Sequence, residues 1–407
     1  MELDEGDIVT GLSVDNFRRK LYGLDFFSDV DITATQDKSN GYDLLVKVVE
    51  KSTTSGKVGI TGGSEGVFFD FSYNAKNFLG NGTPLSLMLK ANQKQIGLDF
   101  DHIYPDFLDE DVSLSTKIFT NWMFTDSIFG SESKKHSDDI ESGKKNVGLK
   151  ETIYVTLSDD FIVGYFYSLK LSKLNEAQSK SYTSRPYYFE DAQGDYITSS
   201  IGANVIFNNT DRRRDSLSIS GVSGNVMFEG AGFGGYDRYF KSSLAVSFYK
   251  SFFDDDVIFK LHNTVEHISG LNSRIRIPNR LSLGDKSFRG FADYGLGPRY
   301  KQHNEFAGGN FSWTSSLDML FSIPVTEDGS SFGLNGILFA EVGNLYGDWT
   351  ESGRELLTQD NGFRMSAGFG VMIRNPILPC IIYYGVPMRK SDYDHPFSIS
   401  FKLGYSF

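Results

Sequence analysis

The chain has 407 residues and a formal net charge of −12, with an isoelectric point near 5.0. This acidic balance excludes nucleic acid as the main partner, because phosphate binding needs a basic face. A lone cysteine, Cys380, excludes an intramolecular disulfide framework and a cysteine zinc site. Gly (42), Phe (35) and Tyr (21) are abundant and Pro (10) is sparse, which is typical of strands joined by glycine-containing turns.

The sequence contains neither an export signal nor a membrane-helix signal. Its opening, MELDEGDIVT, is acidic and lacks the basic and then apolar order of a signal peptide. No apolar run reaches the roughly 20 residues of a membrane helix, and the longest, Pro376 to Pro387, is interrupted by prolines. Hydropathy alone would indicate a soluble protein. It does not decide the matter, because transmembrane strands alternate their faces and average to a neutral score.

The first fifty residues predict one helix followed by two strands. Val14, Phe17 and Leu21 recur at helical spacing. Alternating segments follow at Phe27 to Thr33 and at Tyr42 to Glu50. A unit of roughly fifty residues is shorter than most that fold alone, so we expect a missing upstream strand or support from a neighbour.

From about residue 53 to the end, apolar and polar residues alternate. Val67 and Phe69 share one face of their segment, for example, while Asp70 lies on the other. The segments are often roughly 10 residues long, which is the length of a tilted strand that crosses a bilayer. We count about sixteen, with hairpin dipeptides such as Asn81-Gly82 and Asp328-Gly329 between them. The predicted strand starts are Gly56, Gly66, Pro84, Lys94, Asp111, Asn146, Asp160, Tyr196, Asp215, Asp237, Asp255, Asn310, Phe332, Phe363, Cys380 and Phe397.

The last segment shows the alternation most clearly. Its apolar face consists of Phe397, Ile399, Phe401, Leu403, Tyr405 and Phe407. An aromatic residue at the end of such a strand fits the interfacial girdle of a membrane barrel. A large soluble β-sandwich or propeller would also alternate, but the one-sided Phe, Tyr and Leu faces and the lack of an internal repeat favour the membrane. We therefore predict a mainly β fold, with a 16-stranded antiparallel transmembrane β-barrel at residues 53–407 and a small α/β unit at residues 1–52.

The segment from about Gly270 to Asn310 interrupts the strand pattern. It is far longer than the usual connection of a few residues, so it is either disordered or functional. Its apolar content argues against disorder. The apolar residues are Ile275, Ile277, Leu281, Leu283, Phe288, Phe291, Tyr294 and Leu296. Within the segment, Arg289 is set between an aromatic residue and a glycine.

The run Phe288-Arg289-Gly290-Phe291, followed by Gly295-Leu296-Gly297-Pro298-Arg299, resembles a loop motif of the BamA superfamily of barrel assembly factors. The resemblance extends along the chain, since Ser13 to Lys51 is similar to the carboxyl portion of a POTRA domain and the strands fit a sixteen-stranded barrel. Glu341 to Asn344 and Tyr384 to Met388 resemble the mitochondrial branch, the barrel subunits of the sorting and assembly machinery. The POTRA-like unit is partial, because its first strand and first helix are missing.

The resemblance implies that residues 270–310 fold back into the lumen and that Arg289 meets acidic groups of the inner wall. Transferred by motif, these groups are Asp318 and Glu341. An arginine inside a narrow lumen needs carboxylate partners, because its desolvation is otherwise costly. Gly290 would permit close backbone approach, with the flanking phenylalanines against the wall. The alternative is that Arg289 is an ordinary surface arginine.

A second candidate site is the seam that closes the barrel. Its first strand is short and rich in glycine, so we expect weak pairing and a poorly fixed register. An edge that opens is a template for the strand of another chain. The alternative is a permanently closed seam. The candidate gate residues are Lys57, Val58, Gly59, Ile60 and Thr61 on the first strand and Phe401, Leu403, Gly404, Tyr405 and Phe407 on the last.

The function that the resemblance implies is the insertion and folding of β-barrel precursors by a non-enzymatic machine without cofactor or metal. Its expected partners are those precursors, accessory subunits of an assembly complex and the lipid bilayer. One partial POTRA-like unit without an export signal favours the mitochondrial outer membrane, with a plastid or bacterial outer membrane as alternatives. The alternative function is a protein-translocating or solute-conducting channel of the same fold, of plastid or two-partner-secretion type.

Other motifs are weaker. Gly230 to Gly235 satisfies the spacing of a dinucleotide fingerprint, but it opens no helix and follows a membrane-type strand. Asp254 to Asp256 indicates a turn, because no calcium-loop spacing follows it. We find no metalloprotease motif and no nucleophile elbow.

Overall fold

The computed structural model describes residues 10–23, 26–36, 41–93, 95–124, 143–174, 194–212, 217–276, 279–285, 287–300, 305–323, 333–347, 357–358, 360–374 and 379–406. Several sequence predictions lie outside these residues. They are the hairpin dipeptide Asp328-Gly329, the strand starts at Lys94, Asp215 and Phe332, and the terminal Phe407.

The amino-terminal unit contains the helix and the two antiparallel strands that the sequence predicts. They are α1 (Gly11–Gly23), β1 (Phe27–Gln36) and β2 (Tyr42–Glu50). The hydroxyl of Thr10 caps the helix by accepting the backbone N–H of Ser13 at 3.1 Å. Val30 and Ile32 of β1 are buried, whereas Leu45 and Val49 of β2 are exposed. Among the described residues, no helix has the length and apolar character that crossing a bilayer requires.

Sixteen strands form the barrel, and five strands of two residues lie in its connections. The barrel strands are β3 (Thr54–Gly63), β4 (Gly66–Phe78), β5 (Thr83–Ala91), β6 (Gln95–Tyr104), β7 (Val112–Phe124), β8 (Gly143–Ser158), β9 (Phe161–Leu174), β10 (Gly194–Arg212), β11 (Ser218–Ala231), β12 (Tyr239–Phe252), β13 (Val257–Gly270), β17 (Phe311–Ser322), β18 (Leu334–Tyr346), β20 (Arg364–Ile373), β21 (Cys380–Arg389) and β23 (Ile399–Ser406). The short strands are β14 (Gly290–Phe291), β15 (Arg299–Tyr300), β16 (Glu305–Phe306), β19 (Leu357–Thr358) and β22 (Pro396–Phe397).

Each barrel strand pairs antiparallel with the next, and β23 pairs with β3 to close the sheet. The prediction of a 16-stranded antiparallel barrel is therefore confirmed. Every predicted start lies within three residues of the observed one, because the alternation of side chains is itself the signal of a strand with two different faces.

One predicted boundary is wrong. The sequence places Phe397 at the start of the last barrel strand, but the structure places it in β22, opposite Gly290. The barrel strand begins at Ile399. The alternation continues across Ser398 because both segments are extended, and only their pairing partners differ.

The side chains of each strand alternate between the lumen and the outside. Directly paired residues share a face, so Phe71, Leu89 and Leu98 form an apolar row on the outside. Asp70 and Lys90, on the lumen side, are within 3.8 Å of each other. An apolar exterior around a polar interior is the pattern of a barrel that spans a membrane.

Several barrel glycines lie directly opposite an aromatic residue whose ring covers them. The pairs are Gly62–Phe401, Gly148–Phe119, Gly202–Phe166, Gly336–Phe321 and Gly368–Phe339. The ring fills the space above the glycine, which is one way in which a curved sheet keeps its surface packed.

Replacing Gly148 by alanine should lower the free energy of unfolding by about 1–3 kcal/mol, because the inserted group over-packs a filled site. A Cβ atom at Gly148 would lie 2.2 Å from Cζ of Phe119, whereas a Cβ at Gly97 would be 3.7 Å from its nearest neighbour. Gly97→Ala is therefore the matched control, with unchanged or slightly raised stability. Urea unfolding of the refolded barrel in detergent micelles measures both. Equal losses in the two variants would contradict the packing argument.

Candidate functional site

The connection between β13 and β17, residues 271–310, carries the Arg289 motif and packs as a hydrophobic cluster against the barrel wall. Phe288, Phe291 and Leu296 are completely buried. The rings of Phe288 and Phe291 meet edge to face, with centroids 5.4 Å apart. The other buried members are Ala231, Tyr239, Ile268, Ile275, Leu281, Leu283, Phe306 and Leu345. We name this connection the inner loop.

Arg289 lies between the two carboxylates that the sequence analysis assigned to it. Its Nε donates to Oε1 of Glu341 at 2.6 Å, and its backbone N–H donates to Oε2 of the same carboxylate at 2.6 Å. One terminal nitrogen bonds Asp318 and also donates to the hydroxyl of Ser316 at 2.9 Å. Glu341, on β18, and Asp318, on β17, therefore hold one guanidinium from two neighbouring strands.

The guanidinium also contacts two aromatic rings. Its central carbon lies 3.8 Å from the ring centroid of Phe339 and 5.1 Å from that of Tyr383. The side chains of Arg289, Asp318 and Glu341 are 15%, 14% and 6% exposed. Carboxylate pairing and aromatic contact both restrict the orientation of the cation.

The glycines of the motif allow close approach. Gly290 has φ = 92°, and a Cβ there would lie 3.1 Å from Cβ of Ser366 on β20. Gly297 has φ = 122°, and a Cβ there would lie 2.6 Å from Leu345. A side chain at Gly295 would meet two carbonyl oxygens, each at 2.7 Å. The positions of Gly290 and Gly297 therefore favour glycine for both space and backbone conformation, and that of Gly295 favours it for space alone.

The end of the motif is buried as well. Pro298 is fully buried, and its carbonyl accepts the backbone N–H of Ala307 at 2.9 Å. Arg299 is 1% exposed and donates to the carbonyl of Tyr294 at 2.9 Å. Burial, together with the charges of Glu65 and Asp293, raises the pKa of the Tyr294 hydroxyl to about 12.

The inner loop touches both sides of the seam. On the β3 side, the backbone N–H of Asp293 donates to the hydroxyl of Ser64 in the β3–β4 turn, at 2.8 Å. On the β23 side, Gly290 and Phe291 pair with the residues of β22, which directly precede the last strand. The same loop thus bonds to the chain at the distal ends of both seam strands, that is, the ends farther from the amino-terminal unit.

The structure pairs the predicted gate strands in a single register. Among the described residues, six pairs run from Lys57↔Ser406 through Ile60↔Leu403 to Gly62↔Phe401. On its other side, β23 pairs with β21 over five residues, whereas β3 pairs with β4 over ten. The last strand is thus held by short ladders on both sides. Val58, Gly59 and Thr61 pair with Tyr405, Gly404 and Lys402, respectively.

A cavity of about 600 Å³ lies in the lumen between these two features. Thr61, Gly62 and Lys402 line it from the seam strands. Arg289 lines it from the inner loop, and Asp318 and Glu341 line it from β17 and β18. The arginine network and the seam therefore border one polar chamber.

A second buried arginine, Arg364 at the start of β20, was not found by sequence analysis. Its Nε donates to Asp394 at 2.9 Å, and its side chain and that of Asp394 are 2% and 0% exposed. It also donates to the carbonyl of Gly362 at 2.7 Å and to the hydroxyl of Tyr393 at 3.0 Å. The amide oxygen of Asn344, which is fully buried, accepts from the same guanidinium at 3.2 Å.

This second network joins the loops that follow β18 and β21. The carboxylate of Asp360 accepts the backbone N–H of Gly362 and the hydroxyl of Ser391, each at 2.8 Å. These two hydrogen bonds lower the pKa of the Asp360 carboxyl. The sequence carried only a partial signal for the network, because Asn344 ends one of the family-like segments while Asp394 lies in an unremarkable polar loop.

A family model described as the Omp85 superfamily domain matches residues 77–407. The chain belongs to the Omp85 superfamily. The assignment to barrel proteins related to BamA is therefore confirmed, and the chain is an outer-membrane β-barrel.

The most informative relatives are bacterial. The outer membrane protein assembly factor BamA of Neorickettsia risticii (strain Illinois) is 24% identical over 383 residues, which cover 92% of this chain and 48% of the relative. The chain thus spans about half the length of the curated relative it matches. The crystal structure of Haemophilus ducreyi BamA lacking POTRA domains 1–3 matches with a TM-score of 0.78 at 19% identity. The match covers 100% of this chain and 80% of the BamA chain. CdiB from Escherichia coli matches with a TM-score of 0.64 at 13% identity, and the match covers 99% of this chain and 72% of the CdiB chain.

Proposed function

We propose that this barrel is the core of an outer-membrane β-barrel assembly machine, which inserts and folds precursor barrels through a gate between β3 and β23. The single observation that carries the proposal is the weak attachment of β23, with six register pairs on one side and five on the other. Main-chain groups released from such short ladders can pair with the terminal strand of a precursor.

The composition of the seam supports the same proposal. β3 contains four glycines, Gly56, Gly59, Gly62 and Gly63, which carry no side chains to fix the strand. The polar chamber behind the seam gives an incoming strand room to pair before it reaches lipid. The role needs no nucleotide or metal, since the free energy comes from main-chain pairing and from burial of the precursor's apolar face in the bilayer.

The proposed partners are β-barrel precursors, accessory subunits of the assembly complex and the bilayer itself. The matched relatives are bacterial, which supports the bacterial outer membrane among the alternatives given above. The mitochondrial assignment stays a prediction. It relied on the opening residues, on the partial POTRA-like unit and on the segments Glu341 to Asn344 and Tyr384 to Met388. A sequence that spans half of its relative can be a piece of a longer protein. The POTRA-like character of residues 1–52 also stays a prediction.

Tethering the seam should abolish the insertion of precursors and leave the barrel folded. Ile60→Cys and Leu403→Cys place two thiols at directly paired positions, where Cβ atoms lie about 4.5–5.5 Å apart. Cys380→Ser must be added, because Cys380 is directly opposite Leu403 on β21. The measurement is the assembly of a precursor into vesicles that contain the oxidised or the reduced variant. We expect precursor assembly to be lost when the disulfide is formed by oxidation and to recover when it is reduced.

The matched control ties two strands away from the seam. Leu261→Cys and Leu317→Cys occupy directly paired outer positions of β13 and β17, and oxidation there should not alter assembly. Full assembly by the tethered seam variant would refute the gate. The alternative function, a passive channel, would then be favoured. A channel predicts that single cysteines at Ile60 or Leu403 form no crosslink to the last strand of a precursor.

A further inference from the structure

Glu151 is a carboxylate on the lipid-facing side of the barrel. On β8 the even-numbered residues face the lumen, because Phe119 covers Gly148 and lines a lumen cavity together with Lys170. Glu151 therefore points outward. Its neighbours on that face are Leu149 and Ile153, which are 41% and 38% exposed.

Glu151 also lies at mid-strand. It is eight residues from Gly143 and seven from Ser158, the two ends of β8. The other outward charged side chains of the described barrel strands lie at most two residues from a strand end, where headgroups and water are in reach. Those side chains are Lys145, Lys173, Asp195, Asp211, Lys250 and Arg389. Glu151 is thus the charged group that the fold places in the apolar band.

Few polar groups of the fold offset the desolvation of this carboxylate. Within the described residues, its polar contact is the hydroxyl of Thr116 on β7, which donates to Oε2 at 2.8 Å. Carboxylates on the lumen side have cationic partners, since Glu266 pairs with Lys241 at 3.3 Å and Glu341 pairs with Arg289. A carboxylate in hydrocarbon with one hydroxyl donor is costly, and such residues usually mark a functional contact.

We propose that Glu151 is the docking point for a second membrane protein, through a transmembrane segment that carries a lysine or arginine at the same depth. Charge complementarity selects this partner, because a cation at the same depth pairs with the carboxylate and offsets the cost of its burial in hydrocarbon. A second copy of this chain does not supply it, since the outward lysines and arginine of the described strands lie at strand ends. The apolar surface around Glu151, which includes Ile118 and Tyr165, would lie against the partner's apolar side chains.

The site is remote from the gate. Glu151 is on the sixth barrel strand, five strands from the seam at β3 and β23. A partner held there leaves the seam free, and the proposal does not rest on precursor insertion. Its test can therefore use the purified chain in vesicles without any precursor.

The probe is a synthetic helix of about 20 leucines with one central lysine, matched by an all-leucine helix. The chain carries a donor dye at Leu157→Cys, near the end of β8, in a Cys380→Ser background. We expect energy transfer to show that the lysine helix binds about tenfold more strongly than the all-leucine helix. Glu151→Gln should remove that preference, because the amide keeps the shape without the charge.

Glu229→Gln is the matched control, because Glu229 bonds Tyr239 on the lumen side, out of reach of a lipid-borne helix. It should keep the preference. Heat-dependent gel mobility verifies that each variant is folded, and Glu151→Leu, which matches the neighbouring outward positions, provides a second folded variant without the carboxylate. Equal binding of both helices, or a preference that persists in Glu151→Gln and Glu151→Leu, would overturn the proposal. Transfer between two labelled barrels that depends on Glu151 would replace it with self-association.

Discussion

Replacing Arg289 by alanine should lower the free energy of unfolding of the barrel by about 2–4 kcal/mol, because it leaves two facing carboxylates without their cation. This expected loss is at the lower end of the range for broken buried ion pairs, since the network borders the lumen cavity. Adding Glu341→Gln to Arg289→Ala should recover part of the loss, because one orphan charge is removed. Urea unfolding of the barrel in detergent micelles, followed by tryptophan fluorescence, measures all three proteins.

The control for this series is an ion pair on the barrel rim. Lys173 and Asp195 are 3.5 Å apart, with side chains 58% and 74% exposed. Lys173→Ala should therefore change stability by less than about 0.5 kcal/mol. Arg289→Lys keeps the charge but lacks the planar fork, so its loss should lie between those of the control and Arg289→Ala. A stability for Arg289→Ala that equals that of the rim control would show that the network is solvated and contributes little.

Arg364→Ala should destabilise the loops above β18, β20 and β21 by about 3–5 kcal/mol, since it leaves the buried carboxylate of Asp394 unpaired. The loss is larger than at Arg289 because the side chains of Arg364 and Asp394 are 2% and 0% exposed. The loops can open without unfolding of the strands, because barrel ladders form a separate cooperative unit. Hydrogen exchange of residues 360–364 and 391–394 is therefore the decisive measurement, and it should accelerate in the variant.

Tyr393→Phe is the matched control, because it removes one hydroxyl that bonds Arg364 at 3.0 Å and leaves the ion pair intact. It should cost about 0.5–1.5 kcal/mol. If both variants exchange at the same rate, the ion pair is not the group that closes these loops. Acceleration throughout the barrel strands in Arg364→Ala would instead mean that the loops and the barrel unfold together.

The two arginines differ in how far the sequence revealed them. Arg289 is found because its neighbours are unusual in the sequence itself, where phenylalanines and glycines crowd into a short run that resembles a known loop motif. Arg364 has no such neighbourhood, and its partner Asp394 is thirty residues away across a complete hairpin. Ordinary residue types that meet only through folding leave no local pattern.

The inner loop and the seam show a similar division. The glycine content of β3 predicts a weakly determined edge, and the structure pairs this edge with β23 over a short ladder. The inner loop bonds to Ser64 on one side and to β22 on the other. These contacts depend on the closure of the barrel. No spacing in the sequence carries that information.

The strands and the barrel architecture are written in the alternation of apolar and polar residues, because a strand with one face in lipid and one in a polar lumen must alternate at a period of two residues. Even Glu151 is readable as a break in that pattern, since it occupies an apolar position between Leu149 and Ile153. The folded chain alone shows which loops meet above the lumen and that Arg364 pairs with Asp394. Those relations join residues far apart in the chain, and they become determined only when the last strand pairs with the first.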